Sequence, residues 1–306
     1  SKYTALLCAS LFLFNGFFIY RAIIGHLAYL SYVFIPLFCF FLVKSFEKQN
    51  LKSRIINLIF SSLIFANFFH SGSGPIILII MVSIFCTILL YCIIKNNFKI
   101  FYNFFLSLFL GSLISLSKIV SSFYFLSNFP RVYSSTEFNS IISYIKIFFS
   151  SFFLKPDIEY FNENLTAMLN FGIHEIDFSI SIIPVLSLFL IFFINKKNLY
   201  FDYKNIRNLF IVLIIFFIPI FFNINWFSQN DLISKIPILK STWVQFRWMA
   251  IYILPLIILT GCLLESSMFS LRFKNYISLV FIIILISQNY LKDNSFYTET
   301  ASYNMK

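Results

Sequence analysis

The chain has 306 residues, of which 59% are hydrophobic, 21% aromatic and 11% charged, and its mean hydropathy is +0.86. Soluble domains carry about 25% charged residues, so an ordinary water-soluble domain is excluded, while 45 Phe and 17 Tyr exclude low-complexity disorder. The formal charge of +11 reads as membrane topology and not as nucleic-acid binding, because basic residues of polytopic proteins collect in cytoplasmic loops.

A membrane-spanning helix takes about 20 predominantly apolar residues. Windows of continuous apolarity place spans at 3–20, 27–43, 55–69, 75–94, 100–116, 178–194, 209–222, 248–264 and 276–291. The expected fold is therefore all-α: a polytopic transmembrane helical bundle of about nine spans, forming one domain over residues 1–306. The five cysteines, Cys8, Cys39, Cys86, Cys92 and Cys262, lie in apolar runs without a CxxC pair, so they read as small packing residues and not as disulfide or zinc ligands.

Alternate connections differ in charge. The side holding Lys2 carries 13 Lys and Arg against three acidic residues, a net of +10, whereas the other side carries 10 against nine, a net of +1. The positive-inside rule then puts the N-terminus in the cytoplasm. Residues 117–177 and 223–247 become long outer loops, where function is usually placed. Within the first, residues 141–154 (IISYIKIFFSSFFL) are apolar but too short to span, which suits a helix lying in the outer interface; a tenth span or a buried loop helix is the alternative. Residues 156–177 hold Asp157, Glu159, Glu163, Glu175 and Asp177 and read as an acidic stretch facing water. On the fifth span, Ser107, Gly111 and Ser115 are four apart, a small-residue stripe that lets a neighbouring helix approach closely.

All three histidines, His26, His70 and His174, fall on the outer side, together with Arg21, Arg131, Glu175, Asp177 and Arg247. His174 and Glu175 begin a His-Glu-Ile-Asp run at a membrane boundary, where an imidazole and two carboxylates suit a divalent ion with phosphate or a sugar hydroxyl. The segment 240–248 (KSTWVQFRW) sets Arg247 between two indoles with no acidic neighbour in the segment. Arg offers a pyrophosphate headgroup a bidentate fork, and a snorkelling Arg in an aromatic belt gives the same pattern. Arg131, in Asn-Phe-Pro-Arg, is the second such cation. The spans carry essentially no ionisable residue, with Asn15, Asn67 and Gln288 as their strongest polar groups, which argues against a transporter.

Several stretches together resemble the GT-C superfamily of polytopic membrane glycosyltransferases, in its bacterial and archaeal branches. They are Asn15-Gly16-Phe17-Phe18 leading to Gly25-His26-Leu27 and Pro36-Leu37, Asn128-Phe129-Pro130-Arg131, Phe171-Gly172-Ile173-His174-Glu175 entering Ile183-Pro184, and Phe246-Arg247-Trp248. The resemblance implies transfer of a sugar from a polyprenyl-phosphate donor at the extracytoplasmic face of a plasma membrane. Arg247, Arg131, His174, Glu175 and His26 would then contact substrate, and membrane lipid and the lipid-linked donor would be the partners, with the cofactor unknown. Members of the superfamily typically carry a catalytic acid in the first outer loop, and residues 21–26 contain none. The expectation is either a C-terminal portion of a longer protein or a non-catalytic relative. A transporter or flippase, or a structural subunit of a membrane complex, are the competing functions.

Overall fold

A computed structural model describes residues 1–23, 25–47, 50–72, 76–95, 97–128, 138, 140–164, 172–194, 245–266 and 269–299. Their regular elements are all helices. Among the described residues, four stretches are long and apolar enough to cross a bilayer: Tyr29–Phe46, Leu51–His70, Phe246–Glu265 and Leu271–Lys292. Two bent helix pairs raise the number of candidate spans to six. The nine spans expected are not all present among the described residues, and at several of them the structure departs from the expected span for local reasons. The expected span 209–222 lies outside the described residues.

The first expected span is broken. Helix α1 (Lys2–Leu13) and helix α2 (Gly16–Ile23) meet at 45°. Asn15 makes the joint: its side-chain oxygen accepts from the Phe18 amide at 3.0 Å, and its amide donates to the Phe12 carbonyl. One side chain thereby satisfies an orphan donor of the second helix and an orphan acceptor of the first. A 3-10 stretch, Leu27–Phe34, then runs into α3 (Ile35–Phe46), followed by α4 (Leu51–His70) and α5 (Ile77–Lys95). The qualifying apolar part of α5, Ile77–Ile93, is shorter than the other spans.

Helix α6 (Ile100–Ile114) is continued beyond Ser115 by α7 (Leu116–Asn128), bent through 72°. Ser115 stays with α6 by donating its hydroxyl to the carbonyls of Gly111 at 3.0 Å and Ala66 at 3.3 Å. The small-residue stripe does form a close helix contact. A Cβ at Gly111 would lie 2.7 Å from the Ser62 carbonyl oxygen and 2.7 Å from a Phe65 ring carbon, and the hydroxyls of Ser61 and Ser107 are 2.6 Å apart. Helices α3, α4 and α6 thus form one packed layer, closed by Phe38, Phe65, Phe68 and Phe104.

The expected loop 117–177 is substantially helical, with α7, α8 (Ile141–Phe153), α9 (Ile158–Glu163) and the single turn α10 (Ile173–Ile176). The expected span 178–194 is not a continuous helix. Residues 177–181 run buried through the protein outside any helix, and only then does α11 (Ile183–Ile194) begin. Backbone polar groups cannot be left unpaired there. The Phe178 amide donates to Ser151, the Ile180 amide to Phe152, and the Ser179 carbonyl accepts from the Gly16 amide at 2.9 Å. Ser181 takes a left-handed φ of 77°, and Gln288 holds it by accepting from its hydroxyl at 2.6 Å and from the Ile182 amide at 3.2 Å while donating to the Phe153 carbonyl at 2.9 Å. Phe178 stacks between Phe17 and Phe152 at 5.6 Å from each. A second 3-10 stretch, Gln245–Tyr252, leads into α12 (Ile253–Ser266), and α13 (Leu271–Glu299) completes a second layer with α1, α11, α12 and α5.

Candidate functional site

This non-helical strap and the three elements around it bring charged groups together inside the protein. Arg21 is on the last turn of α2, Glu175 on α10, and Arg247 in the Gln245–Tyr252 stretch. Glu175 sits between the two guanidinium groups. Arg247 donates through Nε to Oε2 at 2.7 Å and through Nη2 to Oε1, a two-pronged fork, and Arg21 Nη2 reaches Oε2 at 3.1 Å. The fork is the geometry that a planar guanidinium offers a carboxylate or phosphate.

This overturns two expectations. Arg247 is not an unpartnered interfacial cation, because its counter-ion comes from 72 residues away in sequence. The acidic stretch is divided: Asp157, Glu159 and Glu163 are exposed, but Glu175 and Asp177 are buried. Burial pushes the Glu175 carboxyl upward, yet the Arg247 hydrogen bonds and the Arg21 charge outweigh it and bring the pKa down to about 2. Arg21 is 0% exposed; its guanidinium carbon lies 3.9 Å from the Phe17 ring centre and 4.9 Å from that of Tyr29, an arrangement that suits a weakly hydrated planar cation.

The histidines complete the cluster. The rings of His26 and His174 meet edge to face at 5.7 Å, and His174 Nε2 is 3.5 Å from Glu175 Oε1. Gly172 permits this arrangement, since a Cβ there would lie 2.9 Å from the His174 ring. Burial lowers the His174 pKa, Glu175 opposes that, and Arg21, His26 and Arg247 add to it. Among the described residues, Arg21 Nε and His26 Nδ1 are buried without a hydrogen-bond partner, as is the Tyr32 hydroxyl, whose ring packs on Phe17. Such orphans cost free energy unless something completes them. The cluster opens through His174, whose side chain is 29% exposed.

Two residues beyond Glu175, Asp177 forms a separate pair. Its Oδ2 lies 2.7 Å from Lys292 Nζ, its Oδ1 accepts from the Ser179 amide at 2.8 Å, and Lys292 also donates to the Ser179 hydroxyl. The expectation that the spans lack ionisable groups is therefore corrected: Lys292, at the end of the last span, and Arg21, in the first bent pair, are both buried. Lys292 lies one turn beyond Gln288 on α13, so one helix face fixes both ends of the strap.

Of the residues read from sequence as substrate contacts, His26, His174, Glu175 and Arg247 are brought together with Arg21. Arg131 lies outside the described residues. His70 is the last residue of α4 and makes no described contact with the cluster. Among the described residues no group of three or more His, Cys, Asp and Glu is arranged to hold a metal ion; the oxygens of Glu175 are occupied by arginine. Sequence reading passed over the Asp177–Lys292 pair and the strap. Their signal is the strict alternation Asp-Phe-Ser-Ile-Ser-Ile over 177–182, which is the period of an extended segment and not of a helix. Comparison of the chain with protein-family models, curated proteins and solved structures found no match.

Proposed function

We propose that this integral membrane protein is glycosyltransferase-like and takes a polyprenyl-phosphate-linked sugar at the extracytoplasmic face. The observation that carries the reading is the pair of buried guanidinium groups at Glu175. Among the described residues, two fixed cations face one carboxylate, an excess of positive charge, beside two imidazoles of which His174 opens toward solvent. An excess cation in a low-dielectric setting is stabilised by an anionic group, and the phosphate of a lipid-linked donor supplies one at a membrane boundary. Charge counting on the connections supports the outer face. Glu175 is ionised and paired to arginine, so the proposal concerns binding of the donor, with the sugar and its acceptor left unnamed.

A second reading has its own observation. The break between α10 and α11, with non-helical backbone and the buried Asp177–Lys292 pair beside it, resembles the discontinuous helices through which transporters hold their cargo. Movement of a lipid-linked sugar across the membrane, without transfer of the sugar, is that alternative.

The test is donor binding by the purified full chain in detergent. Arg247→Ala should weaken binding of a polyprenyl-phosphate sugar by roughly ten- to a hundredfold, the equivalent of about 1.5–3 kcal/mol for a charge-assisted bond. Arg247→Lys should recover part of it, keeping the charge and losing the fork. Equal binding by the parent and the Ala variant would return Arg247 to a purely structural role. Sided movement of the lipid in proteoliposomes with no sugar transfer would favour the transporter.

A further inference from the structure

We propose that Glu175 is an internal stand-in for a ligand phosphate: its carboxylate occupies the seat between Arg21 and Arg247, and a phosphate group binds by displacing it. The inference rests on the reading of this cluster as a phosphate site and adds what the site holds when empty.

Arg247 grips Glu175 through two nitrogens and Arg21 adds a third bond. A guanidinium fork accepts phosphate in the same two-point manner as carboxylate. A carboxylate has two oxygens, and both are used, yet Arg21 Nε stays buried without a partner among the described residues, as does His26 Nδ1. A phosphate ester brings more acceptor oxygens and can accept from Arg21 Nε, which Glu175 leaves over, and from His26 Nδ1 when that nitrogen carries the proton.

Glu175 rides on the single turn Ile173–Ile176, where a side chain can leave its seat without unpacking a long helix. Asp177, two residues on, is the anchor: Lys292, the Ser179 amide and the backbone of Gly16 confine it. The strap therefore keeps its place while the carboxylate moves. The way out is on the His174 side, where the cluster reaches solvent through an imidazole that is 29% exposed and 3.5 Å from Glu175 Oε1. Occupation by Glu175 lowers apparent affinity, because only the fraction of molecules with an empty seat can bind.

The experiment measures binding of n-dodecyl phosphate and of inorganic phosphate to the purified full chain in neutral detergent, with the parent, Glu175→Gln and Glu175→Asp. Gln abolishes the competing charge. Asp keeps the charge balance of the fold but is one methylene too short to fill the fork, so it carries the test alone where the Gln variant fails to fold. Both variants should bind n-dodecyl phosphate about tenfold or more tightly than the parent. Weaker or unchanged binding by the variants, with the parent binding n-dodecyl phosphate, would show that Glu175 organises the arginines; this overturns displacement and leaves the lipid-phosphate reading intact. A gain for inorganic phosphate alone would uphold displacement and overturn the lipid source. Binding of neither ligand by any of the three would remove both the reading and the inference built on it.

Discussion

Replacing Gly16 with Ala puts the strap under a defined load. The added Cβ would lie 1.8 Å from Asp177 Oδ1, 2.4 Å from its Cγ and 3.0 Å from Ser179 Oγ, whereas favourable contacts between heavy atoms begin near about 3.5 Å. Neither partner can retreat freely. The Gly16 amide is bonded to the Ser179 carbonyl at 2.9 Å, and Asp177 is held against Lys292 at 2.7 Å. Something in that set must break. Overpacking alone costs about 1–3 kcal/mol, and separating a buried ion pair costs about 3–5 kcal/mol, a large part of a typical stability of about 5–15 kcal/mol. Intrinsic propensity points the other way, since Ala is better than Gly by about 1 kcal/mol within a helix. The assay is thermal unfolding of the full chain in one detergent. A clear fall in melting temperature is expected, and the loss should shrink when Asp177→Asn is combined with Lys292→Met to remove the pair. A melting temperature equal to or above the parent's would refute the strap's role.

Three further outcomes follow from the same structure. Gly111→Leu should lower the melting temperature by inserting bulk where α6 meets Ser62 and Phe65, at about 1–3 kcal/mol; an unchanged value would mean that α4 and α6 do not touch there. Stability should fall with acidification in two steps. Below about 6.5 the unfolded chain takes up a proton that the depressed His174 resists, and from about 4.5 down to about 2 the contribution of ionised Glu175 is lost. His174→Gln should remove the upper step in a melting-temperature profile, and a profile identical to the parent's would contradict it. In intact cells, Cys placed at Asn162 should react with a membrane-impermeant thiol reagent and Cys at Asn50 should not; the reverse pattern would invert the orientation.

The helical, membrane-embedded class was legible because composition leaves no other solvent for so many Phe and Ile residues. His26, His174, Glu175 and Arg247, which the parity of connections assigns to one side, do lie in one cluster. Their pairing was not legible. Glu175 is 154 residues from Arg21 and 72 from Arg247, and no local pattern links them, so an Arg without a carboxylate in its own segment reads as unpaired. Residues 178–194 read as a span because hydropathy weighs apolarity and not its period, and the alternation through 177–182 was lost in the average. The joints were equally hidden. At Asn15 one side chain serves two helices, and at Ser115 a hydroxyl bonds across to Ala66; both are tertiary events at residues that hydropathy scores as minor interruptions.

The central claim, that the Arg21–Glu175–Arg247 cluster receives the phosphate of a lipid-linked sugar, is tested most directly by photocrosslinking. A polyprenyl-phosphate sugar carrying a photoreactive group on its sugar end would be added to the full chain in proteoliposomes, and the labelled peptides identified by mass spectrometry. The label is expected on the peptides containing His26, His174 or Arg247. It should be lost in Arg247→Ala and be competed away by unlabelled donor. Labelling confined to peptides of the α3, α4 and α6 layer, unaffected by Arg247→Ala, would contradict the account.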